Sequence, residues 1–456
     1  MAFRAKDFGL ISKVTLQASP GQPDTISQGS SVYLTMKTEK DPILVIGAGG
    51  AGLIAAWRAA FMGARVVVLE RNIKAGIKLL ISGGGKCNIT HDGPMEDMRR
   101  TFRLREARFL RHAFHCFSND DIRRLLAGKG VATFTRPNGR VFPVSGRASD
   151  VVAALMECLR DAGVEIRLRA KVERILAAEN AVTGVRVNGL PLRSRHVILA
   201  TGGGSYRKTG TTGDGFTWAG ELGHTIIPVL PALAPISVSP VSRAWRGIAL
   251  RGGRLDVYAH GKKIDSWQDD VLFTHEGISG PAALEVSRTA GAALGKGEVT
   301  LRFDFFPDRD FSTLDEELTS LLLVQHGRHI STILDAWLPN RLVPHLLASI
   351  HVAADTRGYR LTRDERRSIV RLMKSWELGR VSAVPIDRGE VTAGGIALDE
   401  VDPASMRSRK VKGLFVAGEV LDVAGRVGGY NLQAAYATGY VAGEAAARDW
   451  LESIPS

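Results

Sequence analysis

The chain has 456 residues, 45% hydrophobic and 23% charged, an ordinary balance for a globular protein large enough to bury a core without disulfide or metal staples. Its net charge is +13, yet no long Lys/Arg run occurs, and the densest patches (99–111 and 357–371) alternate with apolar residues as solvated helix faces do, which argues against a nucleic-acid surface. Cys87, Cys116 and Cys158 are odd in number, far apart and without a CxxC, which argues against a disulfide scaffold or structural zinc and fits a reducing, cytoplasmic setting; no apolar run reaches the ~20 residues of a membrane helix.

Residues 1–40 are polar and rich in Ser, Thr, Gly and Pro, and lack the apolar stretch of a signal peptide. They read as a flexible N-terminal extension, with Met36 as an alternative start just ahead of the structured sequence at Asp41.

Ile43–Ile46 is an apolar strand entering Gly47-Ala48-Gly49-Gly50-Ala51-Gly52. A helix over residues 53–62 and a strand over 65–69 follow, ending at Glu70. Each part of this strand–GxGxxG–helix–strand–acid series has a task. Gly47 permits the tight turn, Gly49 lets backbone approach a pyrophosphate, and Gly52 lets the helix pack close to the strand. The helix N-terminus offers free N–H groups to the phosphates, and Glu70 stands where a carboxylate accepts ribose hydroxyls. An acid there disfavours a 2′-phosphate, so the site suits FAD or NAD rather than NADP.

Beyond Glu70, residues 77–88 carry three consecutive glycines, Gly83, Gly84 and Gly85, which let backbone pass close to a flat ligand. Residues 150–162 read as a helix, and 165–168, 171–175, 182–187 and 196–200 as strands, the last running into Thr201-Gly202-Gly203-Gly204. That second glycine cluster lacks the closing glycine of a fingerprint, so the chain is not a two-nucleotide disulfide reductase. From residue 206 the pattern changes. Four prolines punctuate 228–240, and alternating stretches at 254–258 and 299–305 predict a β-rich domain, a barrel or sandwich, over 206–310. Helical periodicity takes over at 312, with a Thr362/Glu365 capping box, predicting a small helical domain over 311–375. The chain then returns to an apolar strand at 413–417, the pair Gly418-Glu419, and Gly428-Gly429-Tyr430-Asn431 at the head of a small-residue helix over 432–447. A carboxylate after a buried strand can bind ribitol hydroxyls, and a helix N-terminus can stabilise negative charge on reduced flavin. This split layout, 41–205 with 376–456, fits FAD better than NAD.

At these residues the sequence resembles the NAD(P)/FAD-dependent oxidoreductases known as aminoacetone-oxidase-family FAD-binding enzymes, or BaiN-like flavoproteins. The likeness rests on Lys78-Leu79-Leu80-Ile81-Ser82-Gly83-Gly84-Gly85-Lys86-Cys87-Asn88, Thr212-Gly213-Asp214-Gly215, residues 272–281, Gly418-Glu419-Val420-Leu421-Asp422 and Gly428-Gly429-Tyr430-Asn431, and spans 41 to about 450. It implies a Rossmann-like α/β fold built from both chain ends, with a β-barrel-like and a helical domain inserted. It also implies FAD held by Gly47, Gly49, Gly50, Ala51, Gly52, Glu70, backbone near Val172, Thr201, Gly202, Glu419, Asn431, Leu432 and Gln433. On the shared motifs, Lys78, Gly83, Gly84, Gly85, Cys87, Asn88, Gly418 and Gly429 join the cofactor side. One departure is His91, where Asn is the commoner residue.

The flavin carries hydride or electron transfer and the protein supplies position and electrostatics. Candidates for proton transfer are His275, Glu276 and Tyr430; His275 reads either as a general acid or as a loop histidine bonded to backbone, and Tyr430 either lines the substrate pocket or simply packs. Cys87 has no second cysteine nearby for a redox disulfide, and no metal site is expected. NAD(P)H can dock transiently as electron donor. Three activities remain open: an FAD-dependent oxidoreductase acting on a small or medium organic molecule, a flavin-dependent RNA-modifying protein, and a non-catalytic redox-sensing flavoprotein.

Overall fold

The structure, a computed structural model, describes residues 40–453, so the expectation for the preceding segment lies outside the described residues. Ile43–Ile46 (β1) and Val66–Leu69 (β2) pair in parallel and are buried along their whole length, as strands covered on both faces must be. They form the middle of a five-stranded parallel sheet in which Val197–Leu199 lies beside β1, Leu414–Val416 beside that, and Glu165–Arg167 beside β2. The first helix, Gly50–Phe61 (α1), makes the crossover from β1 to β2. The long closing helix, Tyr430–Glu452, packs on α1 at backbone distance. A Cβ at Gly439 or Gly443 would stand 2.3 or 2.2 Å from the carbonyl oxygens of Ala51 and Ala55, so only glycine allows this approach. The two chain ends therefore share one apolar core.

The inserted strands form one eight-stranded antiparallel sheet running from Ala249–Leu250 at one edge to Lys262–Gln268 at the other. Its two edge strands do not pair with each other, so the expected barrel is an open sheet, with helix Pro281–Leu294 packed on it. Pro281 opens that helix at its first position, where a missing N–H costs nothing. The helices Phe311–Val324 and Arg363–Lys374 add Leu314, Leu318, Ile369 and Met373 to the same apolar cluster as Leu301 and Phe303 of the sheet. The β-rich and helical insertions thus share a core. The capping box of Thr362 and Glu365 forms as expected. One boundary moves: residues from 376 were expected in the flavin half, but Trp376–Ala383 is a strand of the inserted sheet, because Trp376, Leu378 and Val381 alternate into that core. A two-stranded ladder of Ile226–Ala232 with Val391–Ile396 is the bridge by which the chain leaves and re-enters the flavin half.

Candidate functional site

A single cleft of about 610 Å³ gathers most of the sequence-marked segments. One end is the turn between β1 and α1. Gly47 takes a left-handed φ of +102°, and a Cβ there would meet the Ala200 carbonyl oxygen at 2.5 Å. A Cβ at Gly52 would lie 1.9 Å from the Gly47 carbonyl oxygen, so this glycine serves helix packing and does not line the cleft. Gly49 differs: a Cβ there meets nothing within 4 Å, and the residue faces the cleft. Glu70, at the end of β2, accepts the Ala48 N–H at 2.8 Å on one oxygen, and the Asn72 N–H at 2.9 Å and Asn72 side-chain amide at 2.8 Å on the other. A carboxylate has about four acceptor positions, so it braces the turn and keeps room for a further donor.

The middle of the cleft is built from three distant segments. Lys78 donates to both Glu419 oxygens, at 2.9 and 2.7 Å, and to Ser205 at 3.0 Å. Glu419 also accepts the Thr392 N–H at 2.9 Å. Thr201 lines the same wall, and among the described residues its buried hydroxyl has no partner. A buried hydroxyl without a partner is costly and expects a polar ligand. Gly428, Gly429, Asn431 and Leu432, at the head of the closing helix, form the next stretch of wall. Asn431 turns its amide away from the cavity to hold Gly425, accepting its N–H at 2.7 Å and donating to its carbonyl at 3.0 Å, which fixes the loop before the helix. Bare backbone at Gly49, a partnerless hydroxyl at Thr201 and a helix head at Gly429 fit the diphosphate, polyol and ring of FAD along one cleft.

Beyond the helix head the cleft is lined by Arg136, Arg140, Phe142, Leu233, Glu390, Val391 and Arg426, none of which carried a sequence signal. Arg136 and Arg140 lie on the hairpin of strands Thr133–Thr135 and Arg140–Pro143. Glu390 is enclosed by the cleft walls, yet solvent reaches it through the mouth. Burial raises its carboxyl above the ordinary carboxylate range, against the opposing pull of Arg140 and Lys78.

Of the sequence candidates, Gly47, Gly49, Gly50, Ala51, Glu70, Lys78, Gly83, Gly84, Asn88, Val172, Thr201, Gly202, Gly418, Glu419, Gly429, Asn431 and Leu432 all line this cleft. Gly52, Gly85, Cys87 and Gln433 do not. Cys87 is fully buried, and burial raises its thiol to about 11, so it is a neutral packing residue rather than a thiolate. Gln433 points into the core, accepting from Thr90 at 2.8 Å and donating to the Phe117 carbonyl at 2.9 Å. His275 is off the cleft as well, with 63% of its side chain exposed, and Glu276 is tied to Arg388 on the surface. Tyr430 does not line the cleft either; its ring stacks on His91 with centroids 4.6 Å apart. His91 in turn sits 3.1 Å from the Gly428 carbonyl oxygen, so the departure at this position braces the helix head. None of the three proton-transfer candidates faces the cavity: His275 and Glu276 lie in the surface loop after Val271–Phe273, and Tyr430 is drawn aside onto His91.

A family model described as HI0933-like protein Rossmann domain matches residues 41–445. The chain is 31% identical over 407 residues to the 3-dehydro-bile acid delta(4,6)-reductase of Clostridium scindens, covering 88% of this chain and 98% of that protein. It is 30% identical over 400 residues to the ribosomal RNA dihydrouridine synthase of Haemophilus influenzae, covering 87% and 96%. Among solved structures, the 3-ketosteroid delta1-dehydrogenase of Sterolibacterium denitrificans overlays with a TM-score of 0.49 at 16% identity, covering 90% of this chain and 100% of that one. Among the described residues no helix is long and apolar enough to cross a membrane.

Proposed function

The chain belongs to the HI0933-like family of FAD-binding Rossmann oxidoreductases, and from that premise we propose that it reduces a ring C=C double bond of a small or medium organic substrate, with NAD(P)H as a transiently docked electron donor. The observation that carries this reading is the shape of the cleft: it continues past the head of the closing helix to walls supplied by the hairpin of Thr133–Thr135 and Arg140–Pro143 and the bridge strands near Leu233 and Val391. The extra length supports a substrate bound beside the cofactor. The two relatives support the reaction class, since delta(4,6) reduction of a 3-dehydro bile acid and formation of dihydrouridine both saturate a ring double bond.

In this reading the Gly47–Ala51 backbone and the N-terminus of α1 hold the diphosphate, Glu70 takes ribose hydroxyls, and Lys78, Thr201 and Glu419 take the polyol. The head of the closing helix, at Gly429, faces the ring. Bound FAD supplies the hydride chemistry. The chain excludes water with Phe142, Leu233, Val391 and Val427 and orients the substrate against the ring. The 41–205 and 384–456 segments hold the cofactor and, with Leu233, also supply the substrate walls, while the inserted sheet with its helices packs outside the cleft lining.

The test is anaerobic reduction of the yellow holoprotein by NADH or NADPH, followed by reoxidation with a panel of cyclic enones, quinones and imines. Reoxidation by enones with saturation of the double bond is the expected result. Reoxidation by imines or quinones alone would falsify the reading. A second reading, with a uridine in RNA as the substrate, is supported by the relative from Haemophilus influenzae and by the +13 charge. Retention of RNA that falls steeply with salt, together with dihydrouridine in the recovered RNA, distinguishes it.

A further inference from the structure

Five basic side chains line the cleft: Arg71, Lys78, Arg136, Arg140 and Arg426. Two are neutralised there, Arg71 by Asp214 at 2.9 Å and Lys78 by Glu419 at 2.7 Å. Among the described residues the other three make no ion pair. Two of them are held by aromatic faces instead. The Arg136 guanidinium lies 4.1 Å from the centre of the Phe142 ring, and that of Arg426 lies 4.4 Å from the centre of Trp267. A ring orients a guanidinium without cancelling its charge or using its in-plane N–H groups, so both remain free for an incoming acceptor.

Their backbones are fixed as well. The Arg426 loop is held by Asn431 at Gly425, by Arg288 donating to the Ala424 carbonyl at 3.1 Å, and by Glu285 accepting the Val427 N–H at 2.9 Å. The Arg136 N–H donates to the Arg140 carbonyl at 2.9 Å across the hairpin turn. Arg140 and Arg426 converge, since both act electrostatically on Glu285 and on Tyr430. Two carboxyls lie nearby, Glu285 and Glu390; burial raises both above the ordinary carboxylate range, against the pull of Arg140, and among the described residues neither is ion-paired to the three arginines. This end is also distinct from the diphosphate turn. Gly439 touches α1 beside that turn, and the closing helix runs roughly 13 Å further before it reaches Tyr430 and the arginines.

Resting on the reading of the cleft as the place of a ring-reducing reaction, we propose that Arg136, Arg140 and Arg426 form a subsite for an anionic group, a carboxylate or a phosphate, carried by the substrate. The subsite grips the substrate away from its reacting ring, so binding there fixes which double bond is presented. A planar guanidinium fork matches the two oxygens of a carboxylate or phosphate, and charge-assisted bonds of this kind are the strong ones.

The experiment uses the full-length holoprotein and follows ligand binding by the change in flavin fluorescence and absorbance, without turnover. Two matched pairs are titrated: a 3-oxo-Δ4-steroid carboxylic acid against its primary amide, and uridine 5′-monophosphate against uridine. In at least one pair the anion should bind roughly tenfold or more tightly than its neutral partner, and the pair that shows it names the source, carboxylate or phosphate. Arg140→Gln and Arg426→Gln should each shrink that preference while bound FAD and affinity for the neutral ligand stay unchanged. If a variant loses FAD, the wild-type protein still decides: raising salt to about 0.5 M should weaken the anion and spare the neutral ligand. Equal affinities within both pairs, or a preference that survives in both variants, overturns the subsite and leaves the proposed reaction standing. Failure of all four compounds to bind overturns both.

Discussion

The two ends of the cleft recognise charge by opposite means. At the β1–α1 turn the protein presents backbone: glycines, N–H groups and a helix end, with the one carboxylate, Glu70, already bonded to the turn it supports. At the far end it presents side chains: three arginines from a hairpin and a loop, two of them laid on aromatic rings. Backbone recognition depends on spacing along one short stretch of chain, so it suits a ligand that never changes. Side-chain recognition draws on residues far apart in sequence and can be re-specified by single substitutions. On the proposed reading the cofactor, which stays the same, occupies the first end and the substrate the second.

Substitutions at two glycines of the turn separate folding from binding. Gly52→Val drives a side chain into the Gly47 carbonyl and should cost about 3 kcal/mol or more, seen as a large fall in melting temperature or loss of soluble protein. At Gly49 a Cβ meets no protein atom within 4 Å, and the backbone has an ordinary φ of −83°, so Gly49→Val has room to fold. It should fold normally yet purify colourless, because the new side chain fills the space of the diphosphate. A folded, fully yellow Gly49→Val protein would remove the turn from the cofactor site.

A third change probes stability away from both ends. Burial pushes the Glu400 carboxyl up, but the Lys410 ammonium and the Thr225 N–H and hydroxyl outweigh it and hold it at about 2, below its ordinary 4.5. A carboxyl lowered on folding contributes stability that is fully present above pH 4.5 and is lost as the pH falls towards 2. The melting-temperature gap between wild type and Glu400→Gln should therefore be widest near neutrality and close in acid, with FAD content unaffected. A gap that stays constant with pH contradicts this assignment. The smallest effect is expected at His275→Ala: an exposed side chain off the cleft should leave bound FAD and turnover within about twofold of wild type, and a loss of tenfold or more would place it back in the chemistry.

The same contrast explains what could be read in advance. The strand, turn, helix, strand and Glu70 were legible because their roles follow from local spacing, and Gly418-Glu419 was legible because a buried apolar strand precedes it. Arg136, Arg140, Glu390 and Arg426 were not. Each is an ordinary charged residue until strand pairing and loop bracing turn it towards the cavity. The hairpin of Thr133–Thr135 with Arg140–Pro143 passed unread, since its three- and four-residue strands show too few alternations. His275 and Tyr430 attracted attention through their chemistry, but sheet pairing at Val271–Phe273 leaves the first in a surface loop and stacking on His91 draws the second aside.

The seating of Gly439 and Gly443 on α1 carries a consequence for biosynthesis. A growing polypeptide emerges from its N-terminus, and the first turn waits for a partner translated about 380 residues later. Until the closing helix leaves the ribosome, the apolar face of α1 and one wall of the cleft have no cover. On the proposed reading, flavin capture waits until that helix has emerged, and a chain truncated ahead of residue 430 would carry the nucleotide signature without one wall of its cleft.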